Sequence, residues 1–474
     1  MARRTEQNAS LRRIALASLL LFGVCLWTMW PGVAAYDTLR QYEQALAGQY
    51  DDWHPPVMAR LWALTLAVGG RGMLPMLLLQ LAGYWAGIGL FAGGLARSGA
   101  RRAAFATLLV ALSPILLNWL PVVVKDTQMI AALVAATGIV AWYRLPGARP
   151  PWGAVGLVAL LLGYAALVRA NAVFAVVPFA LMLAGWGGVR RWWARALVMG
   201  AATILVILVS DPINHRLFAA ERSGVTATLP VFDMVGIAHF APLAAPPGLT
   251  PAEWAQAEAR HCYTPFYWDP FADRTRCGAM GDDMAAEDDT RPSVMHRWVA
   301  TIAAHPIAYA AHRLAHLNST LRIATPAAEL SSVAPSKSDA NPDGLGGPQT
   351  PGLLALKTLA AAIERTPLGV PAVWALLLVG IGWTLLATPR QPARELGLAL
   401  ALSGLMMTAS FSVVSIASDL RYHLWLIVTA SLAAVLLGAC RGVDRGRFGW
   451  TLGVTVAAIA VSVVLRATAG PLAI

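Results

Sequence analysis

The chain has 474 residues, of which 57% are apolar and only 13% charged, and its mean hydropathy is +0.59. Because soluble proteins carry about 25% charged residues, this composition excludes an ordinary soluble domain. Uncharged apolar runs of about 17 to 25 residues recur along the sequence, and this is the length that spans a bilayer. The sequence therefore predicts an all-α polytopic membrane protein.

The apolar runs predict about eleven transmembrane helices. The first follows the basic segment MARRTEQNASLRR and exceeds the usual length of a signal-peptide core, so we expect an uncleaved helix. Seven runs fall within 1–210 and four within 369–474, on either side of a long segment, 211–368. In chain order, the predicted spans are 14–33, 73–95, 103–123, 127–143, 152–168, 171–187, 196–210, 369–388, 396–414, 422–440 and 449–466.

Arginine is concentrated in every second connection between these spans. These connections together hold 17 arginines and three acidic residues, whereas the remaining 22 acids and all nine histidines lie in the other connections or at the neighbouring helix ends. By the positive-inside rule the arginine-rich connections are cytoplasmic. The net charge of +11 therefore requires no nucleic-acid partner. We expect an integral protein of the bacterial inner (plasma) membrane whose 211–368 segment lies outside the cytoplasm.

The 211–368 segment contains several recognisable stretches. Cys262 and Cys277 lie in HCYTPFYWDPFADRTRCG, where an oxidising compartment favours a disulfide over two unpaired thiols. An amphipathic helix follows and is interrupted at Pro306. The stretch 329–352 is rich in Ser, Pro, Gly and Asp and predicts a flexible loop. LLALKTLAAAIERTP then fits an interfacial helix.

Charged side chains stand at the outer ends of the predicted spans, while the span centres carry almost none. A transport pathway would need polar or broken helices near the midplane. The pattern therefore favours a cleft at the outer membrane surface, walled by the outer loop 34–72, for a substrate carried on a lipid. The residues at these outer ends include Asp37, Lys125, Asp126, Arg169, Asp211, Asp419 and Arg421.

These residues have the chemistry that moves a sugar from a lipid phosphate. A carboxylate whose pKa is raised by desolvation can act as the base, and cationic side chains can bind the phosphate. We expect Asp37 as the base, with Asp126 as the second candidate. The expected substrate-binding residues are Asp51, Asp52, His54, Lys125, Arg169, Arg421 and Tyr422.

Each assignment has an alternative. Asp37 is also a favoured helix-capping residue, Asp51 and Asp52 also fit a solvated turn, and arginines at helix ends also reach lipid head groups.

Several short motifs resemble the GT-C class of integral-membrane glycosyltransferases, which includes protein mannosyltransferases and the aminoarabinose transferase of lipid A. AAYDTLRQYEQ matches the acidic position after their first span, at Asp37. DWHPPVMARLWALTLAVGG, VVVKDTQM, LVRANAV and SDLRYHLW are similar to later outer turns of the class. The resemblance implies transfer from a polyprenyl-phosphate sugar to a glycan, lipid or protein acceptor, with inversion. The sequence shows no WWD-type signature or soluble C-terminal domain, which argues against a sequon oligosaccharyltransferase.

Other functions remain open at this stage. An O-antigen ligase or polymerase would rely on arginines and a histidine of the outer segment, for which His215 and His239 are available. A flippase or transporter for lipid-linked saccharides would use the same lipid, and a membrane scaffold needs no site. No Walker loop or dinucleotide fingerprint is present. No cofactor is predicted with certainty and a divalent cation is possible, but His305, His312 and His316 share a helical face without an acid that would complete a metal site.

The charge pattern generates a test of topology. A membrane-impermeant thiol reagent added from outside should label Asn341→Cys but not Arg191→Cys, because these positions lie on opposite sides of the predicted bilayer. The reverse labelling pattern would overturn the orientation and, with it, the argument for an external site.

Overall fold

The computed structural model describes residues 2–287, 291–325 and 334–468. It confirms the predicted all-α polytopic architecture: the described residues form twenty α-helices and two strands of two residues each. The strands, β1 (Tyr50–Asp51) and β2 (Ala220–Glu221), pair in parallel.

The helices are α1 (Ala2–Met29), α2 (Tyr36–Ala47), α3 (Val57–Ala67), α4 (Leu74–Arg97), α5 (Arg101–Ala111), α6 (Pro114–Trp119), α7 (Lys125–Arg144), α8 (Trp152–Val168), α9 (Val173–Leu183), α10 (Trp192–Pro212), α11 (Thr228–Phe240), α12 (Pro251–Ala259), α13 (Gly278–Ala285), α14 (Val294–Ala304), α15 (Pro306–Leu321), α16 (Pro351–Glu364), α17 (Pro371–Ala387), α18 (Pro392–Val414), α19 (Leu424–Ala439) and α20 (Arg445–Thr468).

Helical segments lie at all eleven predicted span positions. Within the described residues, six helices are long and apolar enough to cross a membrane by themselves, so the count of eleven crossings stays a prediction. These six segments are Gln7–Met29, Leu74–Arg97, Trp192–Leu217, Pro392–Val414, Leu420–Ala439 and Arg445–Thr468.

The predicted span 103–123 is not continuous. It forms α5 and α6, which are separated at Ser113 because Pro114 lacks an N–H and disfavours helical geometry in the preceding residue. After α6 the chain pairs with the turn that follows α1: Val33 donates to the carbonyl of Pro121 (2.8 Å), and Val123 donates to the carbonyl of Val33 (3.3 Å). The break therefore places the turn after α1 beside the segment that enters α7.

Helices α4 and α7 cross at very close range because small residues meet at the crossing. A Cβ added to Gly138 would lie 2.2 Å from the carbonyl oxygen of Gly87, and one added to Gly87 would lie 2.4 Å from that of Val134. Both distances are far below van der Waals contact. The absence of side chains at these two positions lets the backbones touch, as in other tightly packed membrane helices.

The outer segment folds into a cap with its own apolar core. Helices α11 to α14 contribute residues to this core, which includes the disulfide between Cys262 and Cys277. The interruption of the amphipathic helix falls between α14 and α15, at His305 and Pro306. A buried charge network joins α11 to α15: Asp233 accepts from Trp298 (2.8 Å), and its other oxygen pairs with His312 (3.1 Å) and Arg313.

Helix α15 also binds the segment between α18 and α19. Arg313 donates to the carbonyl of Ser415 (2.7 Å), the hydroxyls of Ser319 and Ser418 are 2.6 Å apart, and Thr320 lies 3.0 Å from His423 Nε2. These three contacts, spaced along two turns of one helix, fix residues 415–423 to the cap. This segment contains Asp419 and Arg421.

The stretch after α15 runs back to the first helix. Residues 329–333 of the predicted loop lie outside the described residues. In the described part, Asp339 donates to the carbonyl of Ala34 (2.9 Å), and the amide of Ala34 donates to the hydroxyl of Ser338 (3.1 Å). The following helix, α16, buries Lys357 and Glu364 near Asn118, and Asn118 donates to Glu364 (3.1 Å). The charged side of this predicted interfacial helix thus faces protein.

The crossing of α4 and α7 generates a stability prediction. Gly138→Ala should destabilise the fold by about 1–3 kcal/mol, the usual cost of an added methyl group that has no space. The measurement is thermal unfolding of the purified protein in detergent. Gly156→Ala on α8 is the matched control, because its added methyl meets nothing within 4 Å, and it should be neutral or stabilising. Equal behaviour of the two variants would contradict the close crossing.

Candidate active site

Asp37 lies in the first turn of α2, immediately outside the end of α1. The neighbouring Thr38 donates its hydroxyl to the carbonyl of Val123 (2.8 Å) and accepts from the amide of Ala35 (3.0 Å). These bonds hold the N-terminus of α2 against the segment that enters α7. The helix N-terminus favours negative charge, so the carboxylate of Asp37 sits in a fixed and favourable place.

Arg421 is the centre of the charged cluster at this end of the helices. Its guanidinium reaches the carboxylates of Asp419 (Nε to Oδ2, 2.9 Å), Asp37 (Nη1 to Oδ2, 3.4 Å) and Asp126 (Nε to Oδ2, 3.7 Å). Arg421 and Asp37 are 384 residues apart in sequence. The structure therefore brings together three of the outer turns that the sequence singled out.

Asp126 and Arg169 form a layer beneath this cluster. The side chain of Asp126 is completely buried and pairs with Arg169. Arg169 also donates to Asn171 (2.9 Å) and stacks over the ring of Tyr422, 4.1 Å from its centroid. Because no face of Asp126 is open, an acceptor hydroxyl cannot reach it. The structure does not support Asp126 as the second catalytic base, and it gives Arg169 a supporting position.

Lys125 differs from the two arginines in its partners. Its ammonium lies 3.0 Å from Nδ1 of His54. Burial and then the Lys125 charge lower the pKa of His54 to about 3, so the imidazole is neutral and Nδ1 accepts the hydrogen bond. Within the described residues no carboxylate lies within 4.0 Å of the Lys125 ammonium. Among the described cations of this cluster, Lys125 is thus the one without a direct ion pair, although its charge still acts on the carboxylate of Asp37.

The protonation of Asp37 differs from the prediction. Burial raises its pKa, as expected, but the positive charges of Lys125 and Arg421 outweigh burial, and the net pKa lies well below the ordinary aspartate value. The expectation of a raised pKa was wrong because sequence alone did not reveal how many cations surround this carboxylate. Asp37 is therefore ionised, which is the form of a carboxylate that can accept a proton.

A cavity of about 700 Å³ opens beside this cluster. This volume suits a small-molecule ligand. Five of the residues proposed from sequence line it, and they are Asp37, His54, Lys125, Arg421 and Tyr422. The cap contributes the opposite wall.

Asp51 and Asp52 do not line this cavity. Asp51 accepts from the amide of Trp53 (3.0 Å) and borders a separate pocket of about 250 Å³. Asp52 accepts from the amide and the hydroxyl of Ser223, both at 2.6 Å. Their expected contact with the same substrate is therefore not supported. The short pairing of β1 with β2 brings Asp52 beside Ser223.

The cavity includes residues that sequence reasoning missed. Trp268 and Asp269 belong to the loop closed by the disulfide and line the wall opposite Asp37. Burial is the main cause of a raised pKa for Asp269. The sequence signal for these residues is the WDP tripeptide that lies between Cys262 and Cys277.

The histidines of the ligase alternative lie elsewhere. His215 contacts the carbonyl of Ala220 (2.8 Å), and the His239 ring packs against that of Tyr263, with centroids 4.5 Å apart. Neither histidine lines the cavity. Among the described residues, no three His, Cys, Asp or Glu side chains are arranged to hold a metal ion.

Part of the chain is similar to a known protein family. Residues 53–214 match the family described as dolichyl-phosphate-mannose-protein mannosyltransferase. The match includes His54 and Lys125, whereas Asp37 and Arg421 lie outside it. Among curated proteins, none matches the sequence significantly.

A solved structure is similar over most of the chain. It is the archaeal oligosaccharyltransferase AglB from Archaeoglobus fulgidus, in complex with an inhibitory peptide and a dolichol-phosphate, at 15% identity and a TM-score of 0.37. The similarity covers 98% of this chain and 55% of that one, so this chain spans about half the length of its structural neighbour. The family match over 53–214 confirms the resemblance of this protein to the GT-C class of membrane glycosyltransferases.

Proposed function

We propose that this protein transfers a sugar, hexosyl or pentosyl, from a polyprenyl-phosphate donor to a hydroxyl of a glycan, lipid or protein acceptor. The reaction takes place at the extracytoplasmic face of a bacterial inner membrane and inverts the anomeric carbon. The observation that carries the proposal is one cavity lined by an ionised carboxylate, Asp37, and by two cations, Lys125 and Arg421. A family match to dolichyl-phosphate-mannose-protein mannosyltransferases supports the same donor class.

The charges of the cluster suggest which cation binds the phosphate. Arg421 makes ion-pair contacts with three carboxylates, whereas the direct polar contact of the Lys125 ammonium is with the neutral imidazole of His54, and its charge acts on Asp37 without a direct ion pair. An anion gains most from the cation that is least compensated. We therefore assign the donor phosphate to Lys125, with Arg421 as a second ligand that also holds Asp37 in place.

The proposed mechanism follows from this placement. The acceptor hydroxyl donates a hydrogen bond to Asp37, which takes the proton as the hydroxyl oxygen attacks the anomeric carbon. The bond from this carbon to the phosphate oxygen breaks on the opposite face, and Lys125 stabilises the charge of the leaving phosphate. Because the Lys125 charge lowers the pKa of Asp37, a bound phosphate that neutralises it makes Asp37 a stronger base.

Replacing the proposed base tests the mechanism. Asp37→Asn should lower turnover by about 10² to 10⁴, the usual contribution of a general base, with donor binding largely retained. Turnover is measured as release of free polyprenyl phosphate in proteoliposomes supplied with a panel of polyprenyl-phosphate sugars and candidate acceptors. Asp51→Asn is the matched control, since this nearby carboxylate lies outside the cavity, and it should stay active. Near-normal transfer by a folded Asp37→Asn protein would contradict the assignment of Asp37 as the base.

The two cations should respond differently to substitution. Lys125→Gln should weaken donor binding without loss of stability, and Lys125→Arg should restore part of it because the charge is kept. Arg421→Ala should in addition destabilise the fold, by roughly 3–5 kcal/mol, because it leaves buried carboxylates unpaired. Arg421→Lys keeps the charge but loses the planar fork, so we expect partial recovery.

Donor affinity and thermal stability are measured in parallel for these four variants. Unchanged donor affinity in Lys125→Gln would overturn the phosphate assignment, whatever the behaviour of Arg421→Ala.

A further inference from the structure

Two tryptophans from distant parts of the chain form one wall of the cavity. Trp53 belongs to the outer loop before α3, and Trp268 belongs to the disulfide loop of the cap. Their ring centroids are 5.7 Å apart, with the planes inclined by 42°, and both rings line the cavity. Both side chains are only half-buried, so part of each indole faces the open volume.

The contacts of these two indoles differ from those of Trp298 and Trp254 in the cap. Trp298 donates its indole N–H to Asp233, and Trp254 is packed into the cap core. In the part of the chain that the structure describes, the indole N–H groups of Trp53 and Trp268 have no hydrogen-bond partner. Since a tryptophan usually finds a partner for its polar edge when it is buried, these two rings are available to a ligand.

The loop that carries Trp268 is held firmly against the rest of the site. The disulfide between Cys262 and Cys277 closes it. The amide of Trp268 donates to the carbonyl of Ile416 (3.0 Å), and Tyr267 pairs with Ala417 in an antiparallel bridge. The indole of Trp268 is thereby fixed relative to the segment that contains Arg421.

Carboxylates stand beside this aromatic wall. Asp269 follows Trp268 and is open to the cavity, although partial desolvation by the surrounding protein raises the pKa of its carboxyl group. Asp273 and Asp282 line the same side, with Arg274 as a single cation. This half of the cavity disfavours phosphate. Carboxylate oxygens accept hydrogen bonds from hydroxyl groups, and the face of an indole attracts the weakly positive C–H groups of a sugar ring.

We propose that Trp53, Trp268 and Asp269 form a saccharide subsite that binds one pyranose ring. The apolar face of the ring packs on the indoles, and its hydroxyls donate to Asp269. The inference rests on the proposed function for its biological meaning, and the ring belongs either to the donor sugar or to a glycan acceptor. A peptide acceptor without sugar is the competing occupant.

Binding of simple sugars to the full-length protein tests the subsite. Methyl pyranosides, disaccharides and a serine- and threonine-containing peptide are added to the protein in nanodiscs, and contact is read by saturation-transfer NMR. We expect saccharides to bind and Trp268→Ala and Trp53→Ala each to weaken binding about tenfold. Trp268→Phe should retain part of the affinity. Trp152→Ala is the control, since this indole is 89% exposed at the far end of α8.

Asp269→Asn tests the polar half of the subsite without loss of volume and should also weaken binding. Thermal stability is measured for every variant, and Trp268→Phe and Asp269→Asn keep the test decisive if an alanine variant does not fold. Saccharide binding that is absent, or equal in wild type and in the Trp268 and Asp269 variants, overturns the proposal. Binding of the peptide in place of the sugars overturns it as well.

Two further measurements are needed. The first identifies whether the bound ring belongs to the donor or to the acceptor, and the second distinguishes failure of the subsite from failure of the proposed function. If polyprenyl-phosphate sugar displaces the free saccharide while bare polyprenyl phosphate does not, the ring is that of the donor. Simultaneous binding assigns it to the acceptor. Normal transfer by Asp37→Asn, together with Trp268-dependent saccharide binding, would remove the proposed base and leave the subsite intact.

Discussion

The burial of one guanidinium among three carboxylates is the constraint on which this site depends. Arg421 contacts Asp37, Asp126 and Asp419, and these three residues follow α1, begin α7 and precede α19. A buried carboxylate without a cation is strongly unfavourable, so the three carboxylates favour the arrangement in which their chain segments meet at Arg421, and Asp126 has Arg169 as a second cation. The contact therefore joins the N-terminal and C-terminal helices at their outer ends.

The cap holds this contact in place from the other side. Helix α15 binds residues 415–423 through three hydrogen bonds, and the disulfide loop binds Ile416 through a backbone bond. The segment that carries Arg421 thus lies between the transmembrane helices and the cap. A site assembled in this way has little freedom to rearrange, and preorganised charges are what a transfer reaction through a charged leaving group requires.

The two sides of the cavity differ in the charge and polarity of the side chains that line them. Near α7, Lys125 supplies a positive charge that has no direct ion pair among the described residues, while the cap wall supplies Trp268 and Asp269. A lipid phosphate is anionic and favours the side with Lys125. A sugar ring is neutral, rich in hydroxyls and apolar on one face, and favours the side with Trp268 and Asp269. The geometry therefore fits a ligand that presents both groups side by side.

Composition and charge pattern by themselves determined the all-α polytopic architecture and indicated the end of the helices at which the charged cluster lies. Long apolar runs predict helices from local sequence, and the break before Pro114 is local as well, whereas the pairing of the following segment with Val33 is a tertiary contact. The short outer motifs likewise pointed to Asp37, Lys125 and Arg421, because charges at helix ends are few and conspicuous.

Only the tertiary structure decided the surroundings of these residues. Burial keeps Asp126 off the wall of the cavity, and Asp52 contacts Ser223 beside the pairing of β1 with β2 instead of lining the cavity. The surrounding cations lowered the pKa of Asp37 instead of raising it. The cap brought Trp268 to the cavity over a distance that no local pattern encodes. Burial, ion pairing and access depend on which distant segments meet, and the sequence of one segment carries no record of its neighbours in space.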